Sequence, residues 1–326
     1  MLDLGMMDTD MGLTDAPFFA NVAQGPEGSA AYWAGTADGV RIRLGHFPAS
    51  PQAKARGTVL MFPGRTEYVE KYGRAGKLFS DAGYHTLAVD WRGQGLGQRL
   101  VSDRLMGHVG KFTDYQHDVA AVVAAARELE LPEPYYMVAH SMGGCIGLRA
   151  VMEGLPVKAA VFSAPMWGIV MKPVLRPVAW VVSTAVRPTP FARFYAPSTV
   201  PEPYVLKAAF DDNMLTTDED MFGYMRSHVS SHTDLQLGGP SLQWLNEALR
   251  EMLHLSKQPS PDLPMHCTLG SNERIVEASR IKDRCERWPN GTLTIADGAE
   301  HEVMMERDDV RLPFFERMLA LFEANR

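Results

Sequence analysis

Residues 135–147 read Y-Y-M-V-A-H-S-M-G-G-C-I-G: a short apolar run, a serine between small residues, then a stretch compatible with a helix. A serine on so sharp a strand-to-helix turn takes a strained backbone conformation, and the residues two before and two after it must be small for strand and helix to approach. Ala139 and Gly143 hold those positions. Glycine is usual at both; the single methyl of Ala139 is the smallest departure. This pattern lifts the Ser141 hydroxyl to the carboxyl edge of a parallel sheet and aims the Met142 backbone amide at an incoming carbonyl oxygen.

Working outward, strand and helix patterns alternate on both sides. Strands are predicted at Gly57–Phe62, Tyr84–Asp90, Tyr135–Ala139, Ala159–Ser163, Met265–Leu269 and Thr292–Ile295. Helical spacing marks 67–82, 114–129, 242–255, 276–287 and 310–323. Such alternation implies crossover units and a parallel sheet, hence an α/β fold. From 165 to 240 the rhythm stops and Pro, Trp, Met, Phe and Tyr crowd together. An insertion leaving the carboxyl end of a strand roofs the ligand site, so 165–240 is expected to be a mainly helical cap on a core of 31–164 and 241–326. Residues 1–30 are expected to form a flexible leader.

The chain has 326 residues, 46% hydrophobic and 22% charged, enough for a full soluble core. Its net charge of -7 and lack of a basic cluster exclude a nucleic-acid surface. Cys145, Cys267 and Cys285 are odd in number and widely spaced, so they read as reduced thiols, which favours the cytoplasm. The acidic, Met-rich N-terminus lacks the basic region of a signal peptide. No apolar run reaches the roughly 20 residues that span a bilayer, since Lys172, Pro173, Arg176 and Pro177 interrupt the nearest one. Gly93, Gly95 and Gly97 lack the context of a phosphate loop, and neither His117 nor His140 has metal-ligand spacing around it. No cofactor or metal is expected.

A nucleophilic serine needs a base, and the base an orienting acid. Loops after the last two strands carry Glu273 and then His301, giving the chain order Ser, acid, His. Together with P-G-R-T-E-Y-V-E-K-Y (63–72), D-W-R-G-Q-G-L-G (90–97), H-S-M-G-G (140–144), S-A-P-M (163–166), L-G-G-P-S-L-Q-W-L (237–245) and G-A-E-H-E (298–302), this order resembles the α/β-hydrolase superfamily over nearly the whole chain. Within it, the chain is most similar to the lysophospholipase and monoglyceride lipase-like group, often labelled serine aminopeptidase-like hydrolases.

The resemblance implies Ser141 as nucleophile, His301 as general base and Glu273 as the acid, where the group usually has aspartate. Asp297 and Glu277 are competing carboxylates. It also implies an oxyanion hole from the backbone amides of Arg65 and Met142, with Pro63 in place of a histidine common in lipases. The Arg65 side chain is expected to pair with Glu67 or Asp90. Met166 and Trp167, where the cap leaves the core, are candidates for the substrate wall. Lys172, Arg176, Arg187 and Arg193 among apolar cap residues suit peripheral contact with a membrane surface.

The expected activity is hydrolysis of a lipid carboxylic ester, a lysophospholipid or monoacylglycerol, through an acyl-enzyme. A peptidase or transacylase on the same triad, or a non-catalytic ligand-binding protein of the fold, remains open. A peptidase would need an acidic cluster such as Glu67, Glu70 and Asp211.

Overall fold

The computed structural model describes residues 12–326. Nine strands form one sheet: β1 (Thr14–Ala16), β2 (Ala30–Gly35), β3 (Arg41–Phe47), β4 (Gly57–Phe62), β5 (Tyr84–Asp90), β6 (Tyr135–His140), β7 (Ala160–Ser163), β8 (Met265–Gly270) and β9 (Gly291–Ala296). Their spatial order is β1-β2-β3-β5-β4-β6-β7-β8-β9. The pairs from β1 to β5 through β3 are antiparallel, and every pair from β5 onward is parallel.

The helices are α1 (Ala20–Ala23), α2 (Gly73–Asp81), α3 (Tyr115–Glu128), α4 (Ser141–Met152), α5 (Leu175–Val186), α6 (Tyr204–Lys207), α7 (Glu219–Ser231), α8 (Leu242–Ser256), α9 (Ala278–Glu286) and α10 (Asp308–Ala324). The side-chain period of two sorts the central strands onto two cores. Leu60, Phe62, Met137 and Ala139 join the core beneath α3, α4, α8 and α9. Val59, Met61, Tyr136 and Val138 face the opposite core, with Phe79 of α2 and Phe314, Phe315 and Met318 of α10. Helices therefore cover both faces, and the strands read as continuous apolar runs because neither face meets water.

The expectation of a flexible leader over 1–30 is corrected from residue 12 onward; residues 1–11 lie outside the described residues. β1 pairs with β2, the Phe19 amide donates to Glu70 Oε1 at 3.1 Å, and Arg43 Nη1 donates to the Pro17 carbonyl at 2.8 Å. Arg43 is fully buried between Glu70 and Asp90, both at 2.7 Å. That ionic core pins the N-terminal segment to the sheet.

Between β7 and α8 the chain carries α5, α6 and α7, and it is tied to the core at both ends. The Val170 amide donates to the Ile275 carbonyl at 3.0 Å, and Gly107 and Pro240 form a parallel bridge. Ser241 caps α8 by accepting from the Trp244 amide at 3.0 Å. The glycine-spaced loop after β5 wraps a carboxylate: a Cβ on Gly95, at φ +49°, would lie 2.2 Å from Asp90 Cγ. Asp90 accepts there from the Val69 and Leu96 amides at 2.8 and 2.7 Å, fixing the chain on either side of the site.

Candidate active site

β6 delivers its last residue, His140, to the sheet edge, and Ser141 turns the chain into α4 with φ +48°. A left-handed conformation in a non-glycine residue stores strain that the surrounding packing must sustain. Gly143 permits the turn, because a Cβ there would meet the Phe62 carbonyl oxygen at 2.0 Å. The methyl of Ala139 is accommodated from the helix side. A Cβ built on Gly147 would lie 3.3 Å from Ala139 Cβ, so a glycine supplies the missing space one turn along.

The Met142 amide is in the first turn of α4, whose amides have no helical acceptor. Across from it, the loop after β4 is braced at several points. Gly64 N donates to Glu67 Oε2, Thr66 N to Gln94 Oε1 at 2.6 Å, and Trp91 Nε1 to the Pro63 carbonyl at 2.9 Å. The Arg65 amide between them has no acceptor among the described residues. Gln94 also places Nε2 3.2 Å from Met142 Sδ, bridging the two loops. Gln94 lies in the D-W-R-G-Q-G-L-G motif, but nothing in the spacing of that motif points its side chain at the loop after β4.

His301 follows β9, is 3% exposed, and holds its Nδ1 2.7 Å from Glu273 Oε2. The other Glu273 oxygen accepts from the Ile275 and Val276 amides at 2.6 and 2.9 Å. Burial pushes the Glu273 carboxyl up, but the His301 hydrogen bond and charge and the two amides outweigh it, so the group lies below the usual range. The competing acids are elsewhere: Asp297 stands 3.5 Å from Ser271 Oγ on an exposed turn, and Glu277 pairs with Arg176 at 2.8 Å. No hydrogen bond joins Ser141 to His301 among the described residues. With Nδ1 taken by Glu273, Nε2 is the imidazole atom left for other partners.

Behind these residues lies a buried ionic cluster that the sequence did not announce. Lys71 Nζ is 2.5 Å from Glu67 Oε1 and 2.6 Å from Glu302 Oε1, and Tyr72 donates its hydroxyl to Glu67 Oε2 at 2.5 Å. His140 Nε2 is 3.3 Å from Glu302 Oε2, its Nδ1 is 3.0 Å from the Ser163 carbonyl, and its ring centroid is 4.7 Å from that of His301. Burial disfavours charge on Lys71 and on His140, yet Glu302 and Glu67 outweigh it and raise both. Glu302 moves the other way: burial pushes it up, but Lys71 and His140 hold it well below the usual range. Glu67, His140 and Glu302 bring potential ligand atoms within 4.8 Å of one another, but the Lys71 ammonium stands among them where an ion would sit.

Ser141, His301, Arg65 and Met166 line one cavity of about 460 Å³, roofed by Ile169, Val170, Met171, Tyr204, Val205 and Met225 of the inserted segment. Met166 is among the lining residues. Trp167 is not: its indole N–H donates to the Gly144 carbonyl at 3.1 Å and its ring packs on Phe162 and Trp288, which turns it into the core. The expected pairing of the Arg65 side chain with Glu67 or Asp90 is also corrected. Both carboxylates are taken, by Lys71 and Arg43, and Arg65 Nη1 donates instead to the Gly238 carbonyl at 2.7 Å.

The sequence profile described as serine aminopeptidase, S33, matches residues 53–308. The probable lysophospholipase L2 of Haemophilus influenzae is 25% identical over 80% of this chain and 82% of its own length. Lysophospholipase L2 of Escherichia coli is 28% identical over 84% of this chain and 82% of its own. Among solved structures, a soluble variant of monoglyceride lipase from Saccharomyces cerevisiae in complex with a substrate analog superposes with a TM-score of 0.69 at 20% identity, over 90% of this chain and 94% of that one. The fold and the matched span agree: this chain belongs to the serine aminopeptidase S33 family of α/β hydrolases.

Proposed function

We propose that the protein hydrolyses carboxylic esters of lipids, a lysophospholipid or a monoacylglycerol, through an acyl-enzyme on Ser141. One observation carries the reading: Glu273 holds His301 in the wall of a largely apolar cavity of about 460 Å³ that Ser141 also lines. Ser141 Oγ attacks the ester carbonyl and passes its proton to His301 Nε2. The oxyanion is held by the Arg65 and Met142 amides, and each such donor contributes about 10²- to 10³-fold to turnover. The alcohol leaves with the proton from His301, which then activates water to release the fatty acid. The relatives named lysophospholipase and the monoglyceride lipase fold favour the same bond type.

A peptidase capturing a free amine would need an unpaired carboxylate at the cavity. Glu67 and Glu302 are bound to Lys71, Glu70 is bound to Arg43, and Asp211 is not part of the cavity wall. The deciding experiment compares wild type and Ser141→Ala on lysophospholipid, monoacylglycerol, short p-nitrophenyl esters and an aminoacyl anilide. Serine-dependent fatty-acid release supports the reading. Cleavage confined to the anilide overturns it, and acyl transfer to added glycerol exceeding hydrolysis would make the protein a transacylase.

The cap suits delivery of such a substrate from an anionic membrane surface. Val174, Val178 and Val181, at the start and along one side of α5, are 76%, 53% and 68% exposed, and Phe191 and Phe194 extend the apolar face. From 154 to 201 there is no Asp or Glu, whereas Lys172 and Arg193 are exposed beside that face. An apolar strip flanked by cations matches the interfacial zone of an anionic bilayer. No helix among the described residues is long and apolar enough to cross a membrane, so the proposed contact is peripheral.

A further inference from the structure

Every other charged side chain that lines the cavity among the described residues has a partner of opposite sign. Glu67 and Glu302 share Lys71, His140 lies on Glu302, and His301 lies on Glu273. Arg65 differs. Among the described residues no carboxylate is within salt-bridge distance of it and its one side-chain hydrogen bond goes to the neutral Gly238 carbonyl at 2.7 Å, while its guanidinium carbon is 5.8 Å from the centroid of the Trp244 ring. Its remaining guanidinium nitrogens have no hydrogen-bond partner among the described residues, and Arg65 is one of the residues that line the cavity. Burial pushes the group down only to about 10, so it stays cationic at neutral pH. A fold that keeps an uncompensated cation in a partly buried wall carries a cost that an arriving anion offsets.

We propose that the Arg65 guanidinium is an anion subsite that reads the phosphodiester of a lysophospholipid and so selects it over a monoacylglycerol. The proposal rests on the ester-hydrolase reading for the location of the reacting carbonyl, and its geometry follows from the chain. The Arg65 amide is the oxyanion donor, so the side chain starts beside that carbonyl. From amide nitrogen to guanidinium carbon, and from ester carbonyl carbon to phosphorus across the glycerol, the separation is about six bonds in each case, on the order of 7 Å extended. A guanidinium bonds a phosphate through paired N–H groups. A monoacylglycerol puts only a hydroxyl at that distance and leaves the cation unmatched.

The test has a catalytic and a non-catalytic arm. In the first, kcat/KM is measured for lysophosphatidylglycerol and for the monoacylglycerol of the same acyl chain, with wild type, Arg65→Gln and Arg65→Lys. The ratio of the two values is expected to fall about 10- to 100-fold in Arg65→Gln, the size of a lost charged hydrogen bond, and to be partly restored in Arg65→Lys. Proportional losses on both substrates would assign Arg65 to bracing the Gly238 segment and overturn the proposal.

In the second arm, Ser141→Ala and Ser141→Ala/Arg65→Gln are titrated with a short-chain alkyl phosphocholine below its micellar concentration and with the matching alkyl glycerol ether. Weaker binding of the phosphodiester alone in the double variant supports the subsite even if the wild type hydrolyses neither lipid, in which case the ester-hydrolase reading fails by itself. Equal binding by the two variants sinks the subsite. Inorganic phosphate competing as strongly as the alkyl phosphodiester would overturn the lipid headgroup as its source.

Discussion

Glu273 holds His301 with one carboxylate oxygen at 2.7 Å while its other oxygen is fixed by the Ile275 and Val276 amides. Both oxygens therefore face donors. Glutamine at this position has only one acceptor oxygen, so its NH₂ must oppose either the His301 N–H or the two amides. Glu273→Gln is expected to lower kcat by about 10³- to 10⁴-fold, the scale seen when a triad histidine loses its tautomer control. Rates of ester hydrolysis and of fluorophosphonate labelling check this. A loss below tenfold would remove Glu273 from the relay.

Ser141 carries φ +48° and is only 9% exposed, so its strain is held by packing. Glycine takes that conformation without a Cβ penalty, whereas alanine keeps the penalty. Ser141→Gly is expected to be inactive yet more stable than Ser141→Ala by ~1 kcal/mol. Thermal unfolding of the two inactive variants reads the difference. If glycine is the less stable of the pair, the elbow stores no strain.

How much of this was visible in the sequence follows from burial. β4, β6 and β7 were legible because buried parallel strands are largely apolar runs, and β5, β8 and β9 because Val, Ile, Leu or Thr recur in short stretches between helical patterns. β2 and β3 were not: A-A-Y-W-A-G is mostly Ala and Gly, which are poor strand formers, R-I-R-L-G-H-F mixes charged and apolar residues, and Arg43 reads as a surface residue although it is fully buried between Glu70 and Asp90. Ser141, Glu273 and His301 stood out through their order along the chain. The Lys71 cluster did not, because Lys71 and Glu302 are 231 positions apart and only the fold makes them partners. Trp167 and the Arg65 side chain were misassigned for one reason: composition fixes what a residue can do, while the direction of a turn decides what it meets.

Lys71 is the cation between Glu67 and Glu302, with both side chains nearly sealed from water. Removing one member of a buried ion group leaves uncompensated charge and costs about 3–5 kcal/mol. Lys71→Met should therefore lose that much stability in urea unfolding. Lys71→Met/Glu302→Gln, which removes one of the stranded carboxylates, should recover part of it. A single variant within 1 kcal/mol of wild type would mean that water already screens the cluster.

Val178 and Val181 protrude from α5 without lining the cavity. Val178→Asp/Val181→Asp places negative charge on the proposed membrane face. Binding to vesicles rich in phosphatidylglycerol is expected to weaken about tenfold or more, and wild-type binding to weaken with added salt. Turnover of a water-soluble short-chain ester should stay within about twofold of wild type, because surface substitutions of this kind leave the core intact. Cosedimentation with vesicles and a p-nitrophenyl ester assay separate the effects. Unchanged vesicle binding would refute the assigned face.

Stability should depend on pH with two limbs of opposite sign. His108, His228 and His266 are pushed down to about 4 chiefly by burial, against an ordinary value near 6.5. Between those values the unfolded chain binds protons that the folded one refuses, so stability falls as pH drops from about 6.5 to 4. His140 opposes them. Burial pushes it down, but Glu302 and Glu67 raise it on balance, so its contribution is complete below its unfolded value and is lost as pH rises through the folded one. The melting temperature should therefore peak near pH 6.5. His228 is fully buried between Tyr224 and Tyr68 with ring centroids 4.2 and 5.7 Å away, and phenylalanine fits the same aromatic contacts without titrating. His228→Phe is expected to flatten the acid limb by up to ~1.4 kcal/mol per pH unit, leaving the alkaline limb as it is. Unfolding curves between pH 4 and 8 give both slopes. An acid limb as steep in the variant as in the wild type would show that His228 takes up no proton on unfolding.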